Sequence, residues 1–127
     1  MMSSLIPVLL VEDDALAQMV AKNFLKDLNC RVDTASSGEE AIIKASQNKY
    51  DLILMDVGLV DMDGFTVTKR IKTNFSLNKD TPIVAVTANS SQEYQQLGIE
   101  AGMLTFFPKP LQIAKLRKLL ETIAVSQ

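Results

Sequence analysis

The chain has 127 residues, 47% hydrophobic and 22% charged, with a net charge of −2. That length fits one domain whose core needs no disulfide or metal staple, and the composition is that of a soluble globular protein, which excludes long disorder. The acidic balance argues against direct nucleic-acid binding, and the complete lack of histidine excludes imidazole zinc sites, Ser-His or Cys-His catalysis and a phosphohistidine on this chain.

The single cysteine, Cys30, cannot form an intramolecular disulfide. It fits a reducing compartment and reads as a small buried hydrophobe. No apolar run approaches the ~18 residues of a membrane span. The start, "MMSSLIPVLLVEDD", lacks a basic segment ahead of its apolar run, so no signal peptide and no membrane contact are expected, and the cytoplasm is the expected location. The doubled Met reads as a cloning remnant.

Ile6 to Val11, "IPVLLV", is apolar on both faces and stops at Glu12, Asp13 and Asp14. Such runs are strands buried in a parallel sheet. From Ala15 the period changes: Leu16, Val20, Phe24 and Leu28, with Met19 beside them, give a helical face that stops at Asn29. "CRVDTA" (Cys30 to Ala35) alternates like an edge strand. In "SSGEEAIIKASQ", Ser37 and Glu40 have capping-box spacing, and Ala41, Ile42 and Ala45 form a helical face. "YDLILMD" is a second buried strand, ending at Asp56.

After "GLVDMDG", Phe65, Val67 or Thr68, and Ile71 continue at helical spacing. "TPIVAVTA" is a third buried strand, with Pro82 at its start, where a missing N–H is tolerated. "SSQEYQQLGIEAG" reads as a more polar helix ending at Gly102, and "MLTFFPKP" as a last short strand. Leu111, Leu116, Leu119, Leu120 and Ile123 mark a final helix. Strands alternate with helices through short connections, without linker, repeat or low-complexity stretch. The fold class is therefore α/β, a layered sandwich around a mainly parallel sheet with right-handed crossovers.

In a parallel sheet, ligands sit at the carboxyl ends of the strands. Those ends carry Glu12, Asp13 and Asp14, then Asp56, then Thr87, then Lys109 before Pro110. Clustered carboxylates repel, and a hard divalent cation such as magnesium relieves them. A lysine beside them neutralises charge or holds an anion. Asp14 reads equally well as a helix cap. Asp13 and Asp56 come from different strands, which one cap does not explain. "DMDG" is not a calcium loop: with Gly64 at the sixth position, the first falls on Leu59 and the twelfth on Arg70. Asp61 and Asp63 read as turn formers.

Five segments in order, "LLVEDD", "LILMD", "DMDG", "VAVTA" and "FPKP", resemble the receiver domain of two-component response regulators. The resemblance covers essentially the whole chain, a single receiver domain over 1–127 with its core at about 6–125. It implies the flavodoxin-like strand order 2-1-3-4-5 and a phosphoacceptor at Asp56. It implies a Mg2+ site with Asp13 as direct ligand, Glu12 acting through water and the Gly58 carbonyl as a further ligand. Thr87 would reach the phosphoryl group, Lys109 would pair with one of its oxygens, Phe106 would hold the aromatic switch position, and the Lys109–Pro110 bond would be cis. The loop after Asp56 departs from the family in carrying Leu59 and Val60 where Met-Pro is common. Gly58 and Asn89, two residues after Asp56 and Thr87, occupy the positions that tend to set phosphoryl lifetime.

The implied function is Mg2+-dependent acceptance of a phosphoryl group from the phosphohistidine of a histidine kinase or a histidine phosphotransfer protein. The module would not itself be an enzyme. It would be a stand-alone regulator or an excised receiver, such as the C-terminal receiver of a hybrid kinase, with no room for a DNA-binding output domain. A homodimer through the face of the last two helices is a further expectation. The competing readings are a Mg2+-dependent phosphatase-like hydrolase, against which Gly58 counts because such enzymes place a second Asp there, and a pseudo-receiver, which would lack one of the key groups.

Overall fold

In the computed structural model each expected element forms. The structure describes residues 5–73 and 75–126, with 124–126 described as helical backbone alone. The doubled Met lies outside the described residues. The elements are β1 (Ile6–Val11), α1 (Ala15–Asp27), β2 (Cys30–Ala35), α2 (Gly38–Gln47), β3 (Leu52–Asp56), α3 (Gly64–Ile71), β4 (Ile83–Thr87), α4 (Gln92–Ala101), β5 (Thr105–Pro108) and α5 (Ile113–Ser126). The strands form one sheet in the order β2-β1-β3-β4-β5, and every neighbouring pair is parallel.

The two-residue period of the strands divides the core. Leu9, Val11, Ile53, Met55, Ile83 and Ala85 pack with Ala41 and Ala45 of α2 and Val67 and Ile71 of α3. Val8, Leu10, Leu52, Leu54, Val84 and Val86 pack with Ala21 and Leu25 of α1 and Leu116, Leu120 and Ile123 of α5. Strands buried on both faces explain why β1, β3 and β4 are nearly continuous apolar runs. β2, at one edge, is only partly buried, with Cys30 and Ala35 covered and Arg31 exposed.

The helix ends follow the sequence signals. Asp14, Ser37, Asp63 and Ser91 cap the four helices that follow them. Ser37 Oγ accepts from Glu40 N at 3.1 Å. Glu40 reaches back to the Ser36 amide at 2.6 Å, one residue before the usual capping-box donor. Asn29, after α1, has φ 64°, and Gly102 closes α4 with φ 103°.

One expectation is corrected. Leu16, Met19 and Val20 are exposed, and α1 buries Ala21 and Leu25 instead. A strict four-residue period overshoots a helical turn of 3.6 residues, so the set Leu16–Val20–Phe24–Leu28 spirals off the sheet face. Only its later members, Phe24 and Leu28, pack on the core. Met19 is thus not a packing residue, whereas Met55 and Met103 are buried and Met62 packs partly against the core.

At the far end of the sheet, the fully buried Asn78 ties its own loop to the chain between the end of α2 and the start of β3. Its side-chain amide donates to Ala45 O and Asn48 O, both at 2.7 Å, and its Oδ1 accepts from Tyr50 N at 2.8 Å.

Candidate functional site

β1 and β3 are neighbours in the sheet, with Val11 opposite Met55. Their carboxyl ends therefore bring Glu12 and Asp13 beside Asp56. Asp56 follows Leu52 and Leu54, and Glu12 follows Val8 and Leu10, so both continue the rows that face α1 and α5. One carboxylate oxygen from each of Glu12, Asp13 and Asp56 lies within 4.8 Å of the others. Glu12 and Asp56 are buried, at 5% and 6% exposure, while Asp13 is half-buried.

Lys109, placed just beyond β5, closes the cluster. Its Nζ stands 3.1 Å from Glu12 Oε1 and 3.3 Å from Asp56 Oδ2. It is a bridging cation, not a solvated surface lysine. Burial drives the Glu12 carboxyl up to about 7, and the neighbouring Asp56 carboxylate adds to the rise. Burial alone would lower the Lys109 ammonium, but the Glu12 and Asp56 carboxylates outweigh it and hold it above its ordinary value.

Gly58 and Thr87 stand at the same carboxyl-end rim, and Phe106 lies further down β5. Gly58 N donates to Asp56 Oδ1 at 3.0 Å. A Cβ at position 58 would stand 3.9 Å from that same oxygen, so this position adjoins the acceptor carboxylate. The buried Thr87 hydroxyl is engaged with its own loop, accepting from Asn89 N at 3.0 Å and donating to Asn89 O at 3.3 Å. The Lys109 amide donates to Thr87 O at 3.0 Å, and the Lys109–Pro110 bond is cis. Phe106, opposite Ala85 in the sheet, packs toward α4, with Phe107 on the other face. Its ring occupies the place of a side chain at Gly98: a Cβ there would overlap Phe106 Cζ. Asp14, left open between cap and chemistry, caps α1 through Ala17 N at 2.8 Å.

The donor set suits a hard divalent cation. Three carboxylates converge with no sulfur or imidazole among them, which fits magnesium or calcium rather than a softer metal. A cavity of about 460 Å³ opens beside the cluster, between α1 and the Pro110–Leu111 turn, with Leu54 and Val86 in its wall.

A family model described as the response regulator receiver domain matches residues 8–121. The chain belongs to that family. Among solved structures, this receiver is similar to the receiver domain of sensor histidine kinase PA1611 from Pseudomonas aeruginosa. The two superpose with a TM-score of 0.87 at 34% identity, over 95% of this chain and 99% of that one. That crystal structure has a magnesium ion coordinated in its active-site cleft. Among curated proteins, the receiver is 37% identical over 125 residues to hybrid signal transduction histidine kinase M of Dictyostelium discoideum, covering 94% of this chain. It is 34% identical over 114 residues to the aerobic respiration control sensor ArcB of Escherichia coli. It spans only 5% and 14% of those two relatives' lengths. Membership establishes the chain as a phosphoaccepting module of two-component signalling.

Asp61, whose sequence context marks only a turn former, has a further role at the rim. Lying in the loop after Asp56, it binds the first amides of α2, accepting from Gly38 N at 2.8 Å and Glu39 N at 3.0 Å. The pairing spans distant segments, so only the fold reveals it.

Proposed function

We propose that this receiver accepts a phosphoryl group on Asp56 from the phosphohistidine of a histidine kinase or histidine phosphotransfer protein. Support comes from a buried strand-end carboxylate, grouped with Glu12 and Asp13 and facing an ammonium 3.3 Å away. An Asp56 oxygen would attack phosphorus in line with the leaving imidazole. The new O–P bond forms as the P–N bond breaks, and the imidazole nitrogen keeps the electron pair and takes up a proton. Asp13, Glu12 (through water), Asp56 and the Gly58 carbonyl would hold Mg2+. Bound there, the ion supplies positive charge to the phosphoryl oxygens and neutralises the acid cluster.

Lys109 would shift from its carboxylate partners to a phosphoryl oxygen. Thr87 would exchange its Asn89 hydrogen bonds for another. That exchange would draw the loop before α4 toward the site, and Phe106 would follow. The added charge of roughly −1.5 to −2 biases the two arrangements. The domain would occupy 1–127, act in the cytoplasm as a stand-alone regulator or a hybrid-kinase receiver, and present the α4 and α5 face to a target or a second copy.

The test is stoichiometry. With Mg2+ and acetyl phosphate, the intact protein should gain one phosphoryl group, about 80 Da, and stop there. Chelation with EDTA should abolish the gain. Sustained turnover of phosphomonoesters would instead favour a hydrolase.

A further inference from the structure

We propose that Asp61 is a positioning residue for the cation site, fixing the loop that supplies the Gly58 carbonyl. The inference rests on the reading of Gly58 as a ligand given above.

The loop between β3 and α3 has no repetitive structure and no proline. Its roots are tied: Gly64 N donates to Val57 O at 2.9 Å, and Asp63 caps α3 through Thr66 N at 2.9 Å. Between the roots, Leu59 is buried and Val60 stands 92% exposed. Among the described residues, Asp61 makes the hydrogen bonds that tie the crest to another element. Its two oxygens take one amide each from the start of α2, 2.8 Å from Gly38 N and 3.0 Å from Glu39 N.

A second feature points the same way. Met62 Cγ and Val67 Cγ2 lie 2.5 and 2.7 Å from where a Cβ at position 38 would stand. The bare α-carbon of Gly38 lets the loop close onto α2, and the carboxylate next to Met62 locks it there. Ser37 and Asp61 serve different amides of α2: Ser37 takes Glu40 N at 3.1 Å, and Asp61 takes the two amides before it, so loss of either can be compared with loss of the other. The Asp61 carboxylate is exposed, so water and salt screen its charge, and what it supplies is geometry. A carbonyl ligand on an untethered loop costs ordering on every binding event, and a tether removes that cost before the ion arrives.

The test is a Mg2+ titration of the full chain followed at the Gly58 amide by NMR, with thermal unfolding of the same samples. Asp61→Ala should bind Mg2+ about threefold to tenfold more weakly, at or below the low end for groups that support metal ligands. Asp61→Asn, which keeps one acceptor oxygen, should fall between it and wild type. Ser37→Ala removes the other cap of α2 and should lower the melting temperature while keeping wild-type affinity. Wild-type affinity in Asp61→Ala, whatever its melting temperature, would overturn the inference. So would an equal loss in Ser37→Ala, which would mean that any loosening of α2 suffices. A wild-type protein with no saturable Mg2+ response would instead remove the underlying reading of the site.

Discussion

Lys109 Nζ lies 3.3 Å from Asp56 Oδ2, so the lysine is held on the acceptor carboxylate before any phosphoryl group is present. The same ammonium stands 3.1 Å from Glu12. Lys109→Met should therefore slow phosphorylation by acetyl phosphate about a hundredfold, the low end for loss of a donor to developing charge. Initial rates at saturating Mg2+ measure this, and an unchanged rate would place Lys109 outside the chemistry.

Glu12 gives the site a pH dependence. Its carboxyl rises from 4.5 to about 7, so the folded state holds this proton more tightly than the unfolded state does. The associated stability is fully present below pH 4.5 and is lost as pH rises through 7. Metal-free protein should become less stable from pH 5 to pH 8. Glu12→Gln should recover about 1–3 kcal/mol at pH 8, the worth of one to two pKa units. Mg2+ requires the ionised carboxylates, so its stabilising effect should grow across the same window. Asp61, held below the ordinary carboxylate range by the Gly38 and Glu39 amides, stays ionised throughout. Thermal unfolding across pH, with and without Mg2+, tests all three expectations.

Gly58 leaves open the space beside Asp56. A Cβ there meets nothing closer than 3.9 Å, so Gly58→Asn should fold with stability changed by about 0.5 kcal/mol or less. A carboxamide beside the phosphoryl group can orient an attacking water. Phosphoryl loss should accelerate by roughly tenfold, below the hundredfold or more of a true general base. Decay of the phosphorylated mass after donor removal gives the rate.

Thr68 offers a test of the core. Its side chain is fully buried in α3, and its Oγ1 has no hydrogen-bond partner among the described residues. Thr68→Val replaces an unpaired hydroxyl with a methyl of similar shape. It should stabilise the protein by about 1 kcal/mol, read as a higher urea midpoint at unchanged m.

The strands and their order of acids were legible because their signals are local. β1, β3 and β4 are apolar runs that end in acids or a hydroxyl, and parallel topology gathers such ends on one rim. The cap at Ser37, and the cap reading of Asp14, were legible for the same reason, whereas Asp63 reads only as a turn former and caps α3. Two further features were not legible. The exposed start of α1 escaped because period four and period 3.6 look alike over one turn and diverge over three. The links from Asp61 to Gly38 and from Asn78 to Ala45 and Tyr50 join residues far apart in the chain. An exposed Asp and a loop Asn carry no local mark of such roles.

The decisive measurement of Asp56 as phosphoacceptor is the intact mass of wild type beside Asp56→Asn after identical treatment with Mg2+ and acetyl phosphate. Wild type should gain one phosphoryl group, about 80 Da, and Asp56→Asn none. An equal gain on both would place the phosphoryl group elsewhere and contradict that assignment.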